Sequence, residues 1–174
     1  MEINDNEISF ILNGIKVCIR PVKKEDIRVL KYVKDDLELH KDRFNRQEKG
    51  EVTYLIATIN ELPVGILLLK WKERKDELDY AEIEDIFLVP ALRQLGIGFR
   101  LLEFAESLCK ERGFKRIGLG ANPKDNAKIK KGYERLGYKE IKDSFHLDGK
   151  YPYIDNDGKE QIYEDWVVDM EKEL

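Results

Sequence analysis

Residues 89–98 read Val-Pro-Ala-Leu-Arg-Gln-Leu-Gly-Ile-Gly, an apolar strand end that breaks into a glycine-bearing turn and runs straight into an amphipathic segment. Gly96 and Gly98 carry no Cβ, so a ligand can approach the backbone closely. The first amides of a helix starting there point outward, with the positive end of the helix dipole behind them. Phosphate binds well to such a turn. The dipole contributes only about 0.3–2 kcal/mol, whereas micromolar affinity needs about 8 kcal/mol. Several amide hydrogen bonds and a long ligand body must supply the remainder, which favours a large cofactor over free phosphate. Two glycines alone also fit a tight strand-to-helix turn with no ligand. The run lacks the Gly-Lys-Ser/Thr ending of a nucleotide P-loop, and its glycine spacing does not fit the dinucleotide fingerprint. Just upstream, Glu82, Glu84 and Asp85 place carboxylates on one strand, and alternation sends Glu82 and Glu84 to one face and Asp85 to the other. Acids at a solvated strand end are the alternative reading of the same residues.

The elements that must hold this turn are legible on either side of it. Asn13-Gly14, flanked by alternating stretches, predicts a hairpin that ends at Arg20-Pro21. Polar, helix-favouring residues run from 24 to 49. Residues 52–59 and 63–71 read as two strands joined by a short Asn60-Glu61 turn. Residues 80–89 read as a longer strand whose end (Ile86, Phe87, Leu88, Val89) is apolar on both sides, as expected of a central strand covered on each face. From 94 to 112, Leu101, Leu102, Ala105, Leu108 and Cys109 recur at helical spacing, with Gly113 placed to end the helix. A strand over 115–119, a helix over 126–136 closed by Gly137, and strands over 138–141 and 162–170 follow, with residues 143–160 read as a polar Gly-, Pro- and Asp-rich loop. This order predicts an α/β chain of the α+β type, a mixed sheet with helices on both faces. No repeat, linker or composition break divides it, so a single domain over residues 1–174 is expected.

Composition narrows the function classes. With 174 residues, 42% hydrophobic and 10% aromatic, the chain has enough apolar material for the core of one domain. Although 38% of residues are charged, the signs nearly cancel at a net charge of -4 and are interspersed with apolar residues, which argues against disorder. No basic excess or arginine stripe offers a surface for nucleic acid. The longest apolar run, Val64 to Leu69, is far short of the ~20 residues that cross a bilayer, and the first residues are acidic rather than cationic-hydrophobic. A cytoplasmic protein with no membrane partner is the expectation. Cys18 and Cys109 read as reduced core thiols. His40 and His146 lack companion cysteines or clustered carboxylates, so no metal site is expected.

Arg93-Gln94-Leu95-Gly96-Ile97-Gly98 resembles the Arg/Gln-x-x-Gly-x-Gly/Ala signature of the GNAT superfamily of N-acetyltransferases. Downstream, Asn126, Tyr133, Gly137 and Tyr138 resemble that family's Asn…Tyr-x-x-x-Gly-Phe/Tyr segment, with its usual seven-residue step from Asn to Tyr. The likeness covers nearly the whole chain, with its motif core at 82–138. It implies a centrally splayed sheet of about 6–7 strands flanked by about 4 helices. It implies acetyl-CoA as co-substrate, its pyrophosphate held by backbone amides at Arg93, Gln94, Leu95, Gly96, Ile97 and Gly98, with Asn126 also binding cofactor. Leu88 and Val89 would pair with pantetheine through their backbone, and an amide near Leu88 would meet the oxyanion. An alkyl ammonium has a pKa of ~10.4 and must lose a proton before attack. Glu84 is the implied base, with Glu82 or an ordered water chain as alternatives. Tyr133 is the implied general acid toward the coenzyme thiolate, with a purely core tyrosine as its alternative. The chain departs from the pattern at Gln94 and Leu95, where Gly and a basic residue are common, at Ile129, where a small residue is usual, and at Gly132, where a bulky apolar residue is typical. Gly132 costs about 1 kcal/mol of helix stability relative to Ala. One extra residue also stands between Leu119 and Asn126.

The expected reaction is acetyl transfer to the primary amine of a small molecule: a polyamine, an aminoglycoside or an amino-acid-like compound. A protein or peptide amine, and a non-catalytic acetyl-CoA-binding module, are the alternatives. Asp35, Asp36, Glu38, Glu77 and Asp79, with the strand acids, would attract a cation, although an ordinary charged surface looks the same in sequence. Phe145, His146, Tyr151 and Tyr153 of the tail are candidates for an acceptor pocket. The sequence leaves room for a homodimer.

Overall fold

Three antiparallel strands come first: β1 (Glu2–Asn4), β2 (Glu7–Leu12) and β3 (Ile15–Pro21). Asn13 and Gly14 join the last two with φ of 49° and 81°, the left-handed pair that matches a two-residue hairpin to strand twist. A second hairpin, β4 (Val52–Ile59) and β5 (Leu62–Trp71), turns at Asn60 and Glu61 with φ of 47° and 66°. β6 (Tyr80–Leu88) pairs antiparallel with β5. The computed structural model describes residues 2–4, 7–71, 80–123 and 127–174, which fall into two units: residues 1–115 with Leu174, and residues 116–173.

In the first unit the six strands follow chain order, β1 through β6, each antiparallel to the next. The polar stretch 24–49 resolves into two 3-10 turns, Lys24–Asp26 and Leu30–Tyr32, and helix α1 (Leu37–Glu48). Asp36 caps α1, its carboxylate accepting from the Leu39 N–H at 2.9 Å. A further 3-10 turn, Pro90–Leu92, precedes α2 (Ile97–Glu111). The core forms around β5, which is buried on both faces. Ile66 and Leu68 pack with Val22, Leu30, Val33, Val52, Tyr54 and Ile56. Leu67 and Leu69, equally buried, point to the opposite side, and α2 packs on the same strand. Truncating one such leucine to alanine costs about 2–5 kcal/mol. The doubly covered strand is therefore β5 rather than β6, whose end at Ile86, Phe87, Leu88 and Val89 is only half-buried. α2 also begins three residues later than its apolar period predicts, because Gln94 and Gly96 adopt φ of 64° and 88°.

The second unit holds β7 (Arg116–Ala121), α3 (Ala127–Arg135), β8 (Lys139–Glu140), β9 (His146–Ile154) and β10 (Glu160–Glu173). β10 runs antiparallel to β7, β8 and β9. The loop expected over 143–160 is mostly strand: β9 and β10 form a ribbon closed at Asp155, whose carboxylate accepts from the N–H groups of Asp157 and Lys159 at 3.0 and 2.9 Å. Nearly every β9 residue is exposed or half-exposed, so neither face carries the apolar alternation that marks a strand in sequence. Its Gly149 and Pro152 are tolerated on such a strand. Among the described residues there are ten strands and three α-helices, more strands and fewer helices than expected, in the α+β class. Both cysteines are free thiols; burial pushes Cys18 up to about 11 and Cys109 up to about 12. Among the described residues no helix is long and apolar enough to cross a membrane.

Candidate functional site

The turn between β6 and α2 presents a run of main-chain donors. Gly96 is the N-cap of α2 in the left-handed region, and among the described residues no side chain caps the helix. Arg100 is the first amide of this stretch to find a carbonyl, donating to Gly96 O at 3.1 Å. Among the described residues, none of the N–H groups from Gln94 to Phe99 donates to a backbone carbonyl. Left-handed residues interleaved with helical ones aim successive amides at a common anion, and the uncapped helix adds its dipole. The two glycines differ in what they provide. A Cβ on Gly96 would meet nothing within 4 Å, so the position requires its φ of 88° rather than space. A Cβ on Gly98 would lie 3.4 Å from Leu88 Cδ1, an ordinary van der Waals contact, so packing on the strand end does not by itself demand glycine there.

Arg93 turns back on the strand. Its Nε donates to Leu88 O at 3.0 Å, and its guanidinium lies 5.2 Å from the centre of the Phe87 ring. Val89 donates its N–H to Val64 O and accepts from the Leu92 N–H, both at 3.0 Å, so both of its backbone groups are engaged within the chain. Successive amides of a strand point to opposite edges, which directs the Leu88 N–H away from β5. Of the two residues expected to meet a ligand through the backbone, Leu88 is the one whose N–H is so directed. Leu95 is exposed, whereas Ile97 is fully buried.

Glu82 and Glu84 share a face as alternation predicts, whereas Asp85 does not sit where it predicts. Glu82 lies opposite Lys70 and Glu84 opposite Leu68, on the face shared with Tyr54 of β4. Lys70 Nζ is 2.5 Å from Glu84 Oε2. The ladder shifts between Leu67 and Leu68, making Asp85 an extra residue with φ of 21°. Alternation fails at a bulge. Asp85 therefore does not face away from Glu84: its carboxylate accepts from Lys34 Nζ and Arg43 Nη2 at 2.7 Å each, and Arg43 belongs to α1 and lies 5.6 Å from the centre of the Tyr54 ring. Burial raises the Asp85 pKa, but hydrogen bonding from Lys34 and the charge of Arg43 outweigh it and hold the carboxyl below the usual range. The acids expected to draw in a cation are partly committed elsewhere, Asp36 as the α1 cap and Glu38 to Lys41 at 2.7 Å. Glu77 and Asp79 lie outside the described residues.

In the second unit Tyr133 is half-buried on α3, its ring 6.0 Å from that of Tyr138. Burial pushes its hydroxyl up to about 12, so it keeps its proton at neutral pH. Asn126 lies outside the described residues. The tail aromatics are strand residues and their neighbours: Phe145 stacks on Trp166 at 5.3 Å and Tyr151 on Tyr163 at 6.5 Å, while Tyr153 is exposed and His146 Nδ1 lies 2.7 Å from Ser144 O. A cluster that sequence reasoning missed follows β7. Asn122 Nδ2 donates to Asp165 Oδ1 at 2.6 Å and to Tyr163 Oη at 2.9 Å. The partners are some forty positions apart, so no local pattern announces them. Among the described residues no grouping of three or more His, Cys, Asp and Glu is placed to hold a metal ion.

Fold and site together define an α+β protein that offers an anionic ligand a strand end and an amide-lined helix turn. A profile described as the Acetyltransferase (GNAT) family matches residues 23–138, and the chain belongs to that family. It is 30% identical over 95 residues to an uncharacterized N-acetyltransferase of Methanocaldococcus jannaschii; the match is 53% of this chain and spans 42%, under half, of that curated relative. Among solved structures, the GNAT domain of S. lividans PAT superposes with a TM-score of 0.68 at 21% identity, over 97% of each chain. The ribosomal-protein-S18-alanine N-acetyltransferase of Escherichia coli gives 0.66 at 18% identity, over 90% of this chain and 93% of that one. A GNAT acetyltransferase of Elizabethkingia anophelis, solved with acetyl-CoA bound, gives 0.63 at 17% identity, over 91% of this chain and 98% of its own. At these identities the likeness is one of fold.

Proposed function

We propose that this protein transfers the acetyl group of acetyl-CoA to the primary amine of a small molecule, and that its two units work as one catalytic domain. The observation that carries the reading is the run of amides from Gln94 to Phe99 with no backbone acceptor among the described residues, within the stretch matched by the family profile. A diphosphate fits that donor set: it brings several acceptor oxygens and negative charge to an uncapped helix N-terminus. Arg93, Gln94, Leu95, Gly96, Ile97 and Gly98 would hold it through the backbone, with Asn126 assigned to the same ligand. Bound, acetyl-CoA supplies an acetyl thioester, so that an amide C–N bond forms as the C–S bond breaks. Leu88 would present its N–H to the developing oxyanion. Glu84 would take the proton of the acceptor ammonium on a carboxylate oxygen, with Lys70 as its counter-ion. Tyr133 would hold a proton on Oη at working pH and deliver it to the leaving sulfur.

A panel of polyamines, aminoglycosides, amino acids, and lysine and amino-terminal peptides, with free CoA as the readout, tests the reading and sorts small-molecule from peptide acceptors. Two structural neighbours are named as ribosomal-protein-alanine acetyltransferases, which makes the peptide arm informative. Transfer to a small amine with little to peptides is the expected result. Calorimetry with no heat on adding acetyl-CoA overturns the proposal at its base.

A further inference from the structure

β6 does not run straight into the cofactor turn. Leu67 faces Ile86 and Leu68 faces Glu84, which leaves Asp85 outside the ladder at φ of 21°. A side-chain-bearing residue keeps such a backbone only where its surroundings over-determine it. Here two cations do so, Lys34 and Arg43, both at 2.7 Å from Asp85 Oδ2. The two are not equivalent. The Lys34 side chain is 37% exposed and can reach water, whereas that of Arg43 is 4% exposed and its Nη1 makes no hydrogen bond among the described residues. Behind Arg43 the network closes on itself: Tyr54 Oη meets His40 Nδ1 at 2.7 Å, and His40 Nε2 meets Lys34 O at 2.7 Å. Glu84, one residue before Asp85, lies on this same face and is held by Lys70 at 2.5 Å.

We infer that Asp85 is a positioning residue for Glu84: as the counter-ion of the buried Arg43 it pins the bulge and keeps that guanidinium from drawing Glu84 away from Lys70. This rests on the assignment of Glu84 as the proton acceptor. When the charge of Asp85 is removed, Lys34 turns to solvent but Arg43 has no such route. The carboxylate one residue away on the same face then becomes its partner. Glu84 leaves the position in which it serves the amine.

The test compares wild type, Asp85→Asn and Asp85→Asn/Arg43→Met, all with melting temperatures measured. In Asp85→Asn kcat falls by about 10²-fold, the scale of a misplaced catalytic group, while acetyl-CoA affinity by calorimetry is unchanged. Removing the stranded charge as well restores about tenfold of that loss, a coupling that only neighbouring residues show. A general loss of structure would instead make the double variant equal to or worse than the single one. The inference fails if kcat of Asp85→Asn matches wild type, or if the double variant does not recover. A crystal structure of Asp85→Asn decides the point without activity: Arg43 against Glu84 supports it, and Glu84 still on Lys70 with Arg43 apart overturns it. Where Asp85→Asn does not fold, the double variant stands in for it, and a kcat more than about tenfold below wild type sinks the inference. Wild type that acetylates no amine removes the assignment of Glu84 as base, and the crystal structure still judges the Arg43–Asp85 claim.

Discussion

Gly65 offers the most direct check on how the strand end is built. It lies opposite Leu88 in the β5–β6 ladder, and a Cβ placed there would stand 2.3 Å from Leu88 Cδ2 and 3.2 Å from Phe87 O. Carbon atoms settle at about 3.5–4.0 Å, so with Gly65→Ala the Leu88 methyl must retreat by about 1.2–1.7 Å. Its other methyl already faces Gly98, and the Phe87 carbonyl cannot yield without disturbing the ladder. Overpacking of this kind costs about 1–3 kcal/mol, against about 0.5–1 kcal/mol gained by replacing a strand glycine with alanine. The net loss is centred on about 1 kcal/mol, measurable as a shift in the urea midpoint followed by tryptophan fluorescence. In a Leu88→Ala background the clashing methyl is gone and only the Phe87 O contact remains, so the same change costs clearly less. Equal destabilisation in both backgrounds, or none in either, refutes the packing described for Leu88.

Three further outcomes follow from the same geometry. Tyr133→Phe lowers kcat by about 10²–10⁴-fold with acetyl-CoA affinity retained, read as free thiol released per enzyme. His40 is fully buried, and burial, reinforced by the charge of Arg43, holds its pKa below the ordinary 6.5. The unfolded chain therefore takes up the proton first as pH falls; the contribution of His40 is complete above 6.5 and is lost as pH drops toward the folded value. Urea midpoints at about pH 7.5 and 5.5 fall more for wild type than for His40→Gln; equal slopes contradict this. Asp26 accepts from both Arg20 terminal nitrogens, at 2.7 and 2.9 Å, and from the Lys23 N–H at 2.7 Å. Asp26→Asn costs about 1.5–3 kcal/mol of unfolding free energy, and an unchanged midpoint removes that pair from the account of the β3 exit.

What could be read from sequence was local. Asn13-Gly14 and Asn60-Glu61 announce their hairpins because the turn backbone itself selects those residues, and the apolar period of α2 is set by one buried face. The turn from Arg93 to Gly98 was legible for the same reason, since Gly96 answers to a backbone conformation set within a few residues. Asp85 was misplaced because alternation counts every residue as a ladder position, and only the register with β5 reveals the extra one. β9 escaped notice because a ribbon exposed on both faces leaves no polarity pattern to detect. The partners of Asp85, and the Asn122–Asp165–Tyr163 cluster, are joined by tertiary structure alone.

β10 draws its neighbours from different parts of the chain along its length. Residues 160–167 pair with β9, residues 168–173 with β7, and Met170 and Glu171 have β8 on their other side. One continuous strand therefore runs on two clocks. Deuterium enters the amides of its first half whenever a single flanking ribbon frays, while around Met170 a neighbour on each side holds the strand in place and opening is rarer. The same polypeptide segment thus carries a protection gradient whose step, near Val167 and Val168, marks where pairing with the peripheral ribbon gives way to pairing with β7.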